Sequence, residues 1–386
     1  MTKKIAFVAT SYIKNYDGIS VYTENLLLEF LKKIQNQDII VDIYTGSSVL
    51  ELLVGRISAE NLLNKNINVK AVNDKKFLVK ILDLNFQLIK NGRYDLILMS
   101  NFMPTLLLPS KTLKVIHDFS VNNFSELYSK GYLIYHNMLL RYAKYFDHAI
   151  GYISNTTLDD LNKFHSINNS NKKLVYLPNG IPFKVRNYDR PSDENSFEKY
   201  KQKDLSFLVV GRINKHKGFD RILEFCEYFD KDESIKNFNS VTLNIVGKQT
   251  DETKQIFKDL ELKNIKLVFH GFLNDEQLNP FYMNSHFCIF LSRNEGYGLP
   301  LVESMWFKSI PIISNISIFN ELMTDKYPKF DEKTDYTSSI VSFVNKIFND
   351  EKYLKEQKEF IETIVSKEQA AYEMAATNLI KFIEEL

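Results

Sequence analysis

His286-Phe-Cys-Ile-Phe-Leu291, followed by Ser292-Arg-Asn-Glu-Gly-Tyr-Gly-Leu-Pro-Leu-Val-Glu303, is the stretch on which the fold turns. The first six residues form a short apolar run, which predicts a buried strand ending at Leu291. A glycine-containing loop follows, and Pro300 stands where a helix begins, its φ already suited to the first helical turn. Strand, loop and helix in this order belong to an α/β sheet, where ligands bind beyond the carboxyl ends of the strands. Gly296 and Gly298 let backbone N–H groups approach a ligand closely. A helix start behind such a loop suits an anion, phosphate above all. Glu295 and Glu303 flank the same place. A carboxylate near bound phosphate is repelled unless it meets hydroxyls, and sugar or ribose hydroxyls are donors that satisfy it. Taken alone, each also has a plainer reading: Glu303 as a first-turn acid favoured by the helix dipole, Glu295 as a solvated loop residue.

Working outward, the same alternation recurs. Leu205–Val210 reads as a strand and Phe219–Phe229 as a helix. Val241–Val246 is a strand, Thr253–Leu260 a helix and Ile265–Phe269 a strand; Asn274–Asn284 is helical, Pro300–Phe307 a helix and Ile310–Ile313 a strand. Between the first of these strands and its helix lies Gly211-Arg-Ile-Asn-Lys-His-Lys-Gly218. Arg212 and Lys217 stand there at the same kind of rim. A bidentate Arg and a point-charge Lys can together neutralise a diphosphate without a metal; the plainer reading is two surface cations after a strand.

Upstream, Lys4–Thr10 reads as a buried strand, followed by a polar loop with Asp17-Gly18. Ile19, Tyr22, Leu26, Leu27, Phe30 and Ile34 then recur at helical spacing. Short apolar runs follow at Ile39–Thr45, Asp95–Met99, Leu113–Ile116, His148–Ile153 and Leu174–Leu177, with helical stretches at Phe77–Lys90 and Tyr132–Tyr145. Residues 183–204 are rich in charge and poor in aliphatics and read as a linker or irregular extension. The expected architecture is α/β: two doubly wound, Rossmann-like domains, 1–182 and 205–366, facing a central cleft. A final helix, about 367–386, is expected to cross back onto the first domain.

Composition narrows the class. The 386 residues are 44% hydrophobic and 25% charged, ordinary for a globular chain and enough for two cores. Disorder, collagen and coiled coil are excluded. With 49 Lys and Arg against 48 Asp and Glu, the net charge of +1 argues against a nucleic-acid binder. The halves differ, since residues 1–182 carry 21 basic and 15 acidic side chains, so the remainder carries the acidic excess. A basic N-terminal half favours an anionic membrane surface or an acidic acceptor, and incidental Lys scatter is the plainer reading. Two cysteines, Cys226 and Cys288, make neither a disulfide framework nor a metal site. Asp230-Lys-Asp232 has the spacing of a metal-binding acidic pair but follows a helical pattern, and reads as a solvated helix end. No cofactor and no metal are expected. The apolar run Ile5–Ala9 is too short for a signal segment or a bilayer span, so a cytoplasmic location is expected.

The Gly-Arg…Lys-Gly segment and the paired glutamates together resemble the retaining glycosyltransferases of GT-B fold, family 4 (glycosyl transferases group 1). In that family such a segment and two glutamates eight positions apart mark the donor site; Arg212, Lys217, Glu295 and Glu303 match position for position. Asp17-Gly18-Ile-Ser-Val-Tyr22 resembles the glycine-rich loop that approaches the donor phosphates, with Asp17 where a glycine is usual. Val115-Ile-His-Asp118 resembles the segment that reaches the transferred sugar, and Pro178-Asn-Gly-Ile181 the interdomain segment.

The resemblance implies that the second domain binds a nucleotide-diphosphate sugar of UDP or GDP type and the first a glycan or lipid-linked acceptor. Arg212 and Lys217 would hold the diphosphate and Glu303 the ribose hydroxyls. Glu295 would orient the sugar with the amides of Gly298 and Leu299. Gly18 and Gly296 would lie close to the donor, and Gly271-Phe272-Leu273 would face the base. His117 would contact the sugar or support developing charge, its plainer role being a core or capping histidine. The implied reaction is metal-independent hexosyl transfer with retention, in surface polysaccharide or glycoconjugate synthesis, with peripheral contact to an anionic inner membrane face as a further expectation. The alternative is a catalytically silent GT-B scaffold for a partner enzyme. A nicotinamide oxidoreductase is disfavoured, because Gly296-x-Gly298 lacks the third glycine of a dinucleotide fingerprint.

Overall fold

The computed structural model describes residues 2–13, 17–105, 110–249, 255, 257 and 260–386. The chain divides into two compact units, Met1–Gly180 with Ala370–Leu386, and Ile181–Gln369.

In the first unit, β1 (Lys3–Val8), β2 (Ile39–Gly46), β3 (Ile67–Val72), β4 (Leu96–Met99), β5 (Lys111–Ile116), β6 (Ala149–Tyr152) and β7 (Lys173–Tyr176) form one sheet. Its order is β3-β2-β1-β4-β5-β6-β7, and every pairing is parallel, with Ile5 opposite Val41 on one side and Leu96 on the other. Parallel strands covered on both faces become near-continuous apolar runs, and Ile5, Ala6, Phe7, Val41, Ile43, Leu96 and Leu98 are fully buried. Strand order reverses between β1 and β4. β3 is absent from the sequence reading because Ile67–Val72 is an edge strand, half-exposed along most of its length, without a continuous apolar run.

The second unit holds β8 (Asp204–Val210), β9 (Ser240–Val246), β10 (Ile265–Gly271), β11 (Phe287–Phe290) and β12 (Ile310–Ile313). Their order is β10-β9-β8-β11-β12, all parallel. Here the order reverses between β8 and β11. The core is aromatic: Phe207 meets Phe225 and Phe229 edge-on and stacks with Phe287 at 5.6 Å. Cys226 and Cys288 are both buried as free thiols.

Residues 183–204 are neither a linker nor an irregular extension: they carry helices at Phe183–Arg186 and Asp193–Glu198 and belong to the second unit. Arg190 stacks on Trp306 at 4.6 Å and donates to the Trp306 carbonyl at 2.7 Å, while Tyr200 is buried and donates to the His286 carbonyl at 2.6 Å. The polar composition hides this, because the Arg190 guanidinium and the Tyr200 ring are what pack. The C-terminal helix, Ala371–Glu384, starts a few residues later than about 367 and packs on helix Gly18–Ile34 in the first unit, while the helix before it, Glu351–Gln369, ends in the second. Of the expected helix Thr253–Leu260, most lies outside the described residues; Gln255 and Phe257 are helical. No helix among the described residues is long and apolar enough to cross a membrane.

Candidate active site

The point where strand order reverses leaves a crevice beyond the carboxyl ends of two neighbouring strands. In the second unit those strands are β8 and β11. A recess of about 70 Å³ lies there, lined by Gly211, Arg212, Lys217, Ser292, Glu295 and Gly298 among others. At ~30 Å³ of liquid volume per water molecule, such a recess has room for a phosphoryl-sized group. The two loops singled out in the sequence therefore meet at one place.

The loop after β8 is shaped by local hydrogen bonding. Asn214 accepts from the Lys217 amide at 2.9 Å and caps a single turn over Lys215–Lys217. Gly218 then turns back with φ +69°, and a Cβ there would lie 1.8 Å from the Leu291 carbonyl oxygen. Only glycine admits this approach. Lys217 Nζ is brought to 2.6 Å from Glu295 Oε2, and the Ser292 hydroxyl donates to Glu295 Oε1 at 2.8 Å. Arg212, exposed at the rim, has no ion pair or hydrogen bond among the described residues. Its charge is available to a ligand.

Arg293 ties the two loops together. Its guanidinium donates to both Asp220 oxygens at 2.7 and 2.9 Å and to the Lys215 carbonyl at 2.6 Å, and its backbone amide donates to the His216 carbonyl at 3.0 Å. That bidentate pair holds the Asp220 carboxyl below the usual range. Ser292, Arg293 and Asn214 were not singled out in the sequence, although all three sit inside the two quoted stretches. Tyr282, on helix Asp275–Asn284, left no sequence signal at all.

Helix Leu299–Trp306 starts where expected. Gly298 precedes it with φ +91° and no side chain caps it. The amides of Gly298 and Leu299 make no hydrogen bond among the described residues, so the positive end of the helix is open to an anion. Glu303 lies one turn in, half-buried, and accepts from the Tyr282 hydroxyl at 2.9 Å. Burial pushes its carboxyl up to about 7, the nearby Asp275 adding to the shift and the Tyr282 hydrogen bond opposing it. Gly296 lies in the same loop as Glu295. Gly271, with φ +68°, ends β10, two strands away from β8 along the same carboxyl rim. Leu273 is half-buried and Phe272 is 63% exposed beside it. An exposed phenyl ring offers a stacking face for a flat ligand.

In the first unit the reversal lies between β1 and β4. Gly18 opens helix Gly18–Ile34, and Asp17 caps it, accepting from the Ser20 amide and hydroxyl at 2.8 Å each. The carboxylate at this position is thus a helix cap. His117 follows β5; Nε2 donates to the Ser100 carbonyl at 2.7 Å, and the ring meets Tyr22 edge-on at 4.7 Å. Burial lowers its pKa, so the ring is neutral at pH 7. A carbonyl can only accept, which places the proton on Nε2 and leaves Nδ1 as an acceptor.

Asp230 differs from its sequence reading: it is buried and accepts from the amides of Lys263, Asn264 and Ile265 at 3.0, 2.6 and 3.1 Å. It is a structural anchor between the helix and β10, not a solvated helix end.

Residues 191–364 match the family described as Glycosyl transferases group 1. The O-antigen chain mannosyltransferase RfbU of Salmonella typhimurium is 26% identical over 193 residues, 49% of this chain and 48% of that protein. The serotype-specific mannosyltransferase WbdA of Escherichia coli is 34% identical over 120 residues, 30% of this chain and 14% of that protein. The chain spans about half the length, or less, of the curated relatives it matches. Among solved structures, Anabaena Alr3699/HepE in complex with UDP and glucose superposes with a TM-score of 0.68 at 15% identity, covering all of both chains. The chain thus has the fold of the GT-B glycosyltransferases it matches, and its second unit is similar to the glycosyl transferases group 1 in the segment that carries the recess.

Proposed function

We propose that the chain is a glycosyltransferase that moves a hexosyl group from a nucleotide-diphosphate sugar, of UDP or GDP type, to a hydroxyl of a glycan or lipid-linked acceptor in surface polysaccharide synthesis. The observation that carries this reading is the recess beyond β8 and β11, which gathers Arg212, Lys217, Glu295 and Gly298, whose open amide precedes helix Leu299–Trp306. The mannosyltransferase relatives support the polysaccharide context, and the UDP held by the Anabaena neighbour supports the donor class.

In this reading Arg212 and Lys217 hold the diphosphate and carry its charge without a metal. Glu303 accepts from the ribose hydroxyls, Phe272 stands beside the base, and Glu295 orients the sugar. The bond between the anomeric carbon and the phosphate oxygen breaks as the acceptor oxygen bonds to that carbon from the same face. The acceptor proton passes to the departing phosphate oxygen, and the configuration is retained. The protein's part is positioning and charge stabilisation, which can account for much of a rate enhancement.

Thermal unfolding in EDTA with millimolar UDP, GDP, ADP or dTDP tests the donor site. A nucleotide at about 100 times its Kd adds roughly 2.7 kcal/mol of apparent stability. One nucleotide should raise the midpoint, and Arg212→Ala and Lys217→Ala should abolish the rise. In transfer assays Glu295→Ala should remove activity while the fold persists. No shift with any nucleotide, with or without added magnesium, would overturn the assignment.

A further inference from the structure

Two helices of the first unit are apolar on the wrong side. Helix Phe77–Lys90 buries Leu84 and Leu88 against the sheet, yet Leu78, Leu82, Phe86 and Ile89 are exposed, Leu82 by 67%. Helix Lys130–Phe146 buries Leu139, Leu140 and Ala143, yet Ile134, Met138 and Tyr145 are exposed, Ile134 by 71%. Both outward sets recur at steps of three, four or seven, so each forms one stripe along its helix. A surface helix of an ordinary globular unit is polar there.

The stripes lie side by side. Helix Phe77–Lys90 connects β3 to β4 and helix Lys130–Phe146 connects β5 to β6, both moving the same way across the sheet. Right-handed crossovers in one direction place their helices on one face. The Phe77 and Tyr135 rings meet edge-on at 6.4 Å. Joined at this ring pair, the two helices present their exposed apolar and aromatic side chains on one face, the kind of surface that marks an interaction site.

Charge identifies the occupant. Residues 75–93 hold five cations and one carboxylate, and residues 128–146 three cations and none, a net +7 in a chain whose total is +1. That carboxylate, Asp83, is half-buried and accepts from the Asn73 amide and Gln87 Nε2 at 2.7 and 3.1 Å. Lys75, Lys76, Lys90, Arg93, Lys130 and Arg141 are exposed and form no ion pair among the described residues. Cations around exposed aromatic and aliphatic side chains are what an anionic lipid surface takes, with the rings and aliphatics entering at headgroup depth. A second copy pairing patch to patch would set these cations against their own kind.

We propose that this face of the first unit docks on an anionic lipid bilayer. The inference deepens the proposed function, since a lipid-linked acceptor is met at such a surface, but its test reads binding rather than transfer.

The full chain is sedimented with phosphatidylcholine vesicles, with and without about 30% phosphatidylglycerol, at low and high salt. Binding should require the anionic lipid and fade as salt screens it. Lys75→Glu/Lys76→Glu/Lys90→Glu should weaken binding about a hundredfold, at roughly fivefold per cation. Leu82→Ser/Phe86→Ser/Ile134→Ser should weaken it at least tenfold. Both variants change only exposed side chains and should keep the wild-type nucleotide shift, which shows that they fold. Failure to bind anionic vesicles, equal binding to neutral ones, or unchanged binding by either variant overturns the proposal. So does a dimer, seen by sedimentation velocity, that the serine variant dissolves while vesicles are ignored. Lipid binding without any nucleotide shift would sink the donor-site reading and leave this one standing.

Discussion

Two carboxylates eight positions apart meet opposite surroundings. Glu295 faces Lys217 Nζ and the Ser292 hydroxyl, whereas Glu303 is packed by protein and accepts from the Tyr282 hydroxyl. The difference has a measurable consequence. Glu303 titrates near 7 in the fold, against an ordinary value of 4.5. The unfolded chain therefore releases this proton first, and ionising the residue destabilises the fold. That penalty is absent below about pH 4.5, grows up to about 7 and is constant above. Glu303→Gln keeps an acceptor for Tyr282 and cannot ionise. It should match the wild type in stability at pH 4 and exceed it by roughly 1–3 kcal/mol at pH 8. A constant offset across that range, in paired denaturant melts, would show that burial does not disfavour the charge. At this scale the sequence was most legible, because Arg212, Lys217, Glu295 and Gly298 are each marked by residue type and place after a strand. Arg293 and Tyr282 were not, because only spatial neighbours reveal what a guanidinium or a phenol holds.

At the level of elements, the site depends on two tight turns behind two strands. Gly218 passes against the Leu291 carbonyl, so the turn that carries Lys217 is stacked on the end of β11. Gly218→Ala forces both a left-handed backbone and a clash with main chain. It should cost roughly 1–3 kcal/mol of stability and weaken nucleotide binding further than that loss accounts for. Gly55→Ala, within helix Leu50–Ala59 and in open space, is the control and should be neutral or stabilising by up to about 1 kcal/mol. Equal behaviour of the two variants in melts and nucleotide titrations would sink the account. Elements with a strong period were plain in the sequence, whereas the half-exposed edge strand β3 was not. The break between Gln369 and Ala371 was also invisible. No proline or glycine marks it, and it falls where the chain passes from one compact unit to the other.

Across the whole molecule, near-neutral charge conceals a division of labour. The recess beyond β8 and β11 and the basic, apolar helices Phe77–Lys90 and Lys130–Phe146 lie in different units. Hydrogen exchange should therefore separate them. Nucleotide should slow amides in 211–219 and 296–303, and anionic vesicles should slow those of the two exposed helices while leaving the recess unchanged. Protection of both regions by either agent alone would contradict two independent sites.

The α/β class, most strands and the loops that carry the site are legible in the amino-acid order alone. Apolar periodicity and turn residues are local properties, readable without neighbours. Which strands adjoin, and hence that the loops after β8 and β11 meet at a reversal of strand order, follows from the folded chain. The fold also decided that Asp230 is buried on three amides, that residues 183–204 pack into the second unit, and that two apolar stripes combine into one face. Each of these depends on groups far apart in the chain, and side-chain type does not record which distant partner removes it from water.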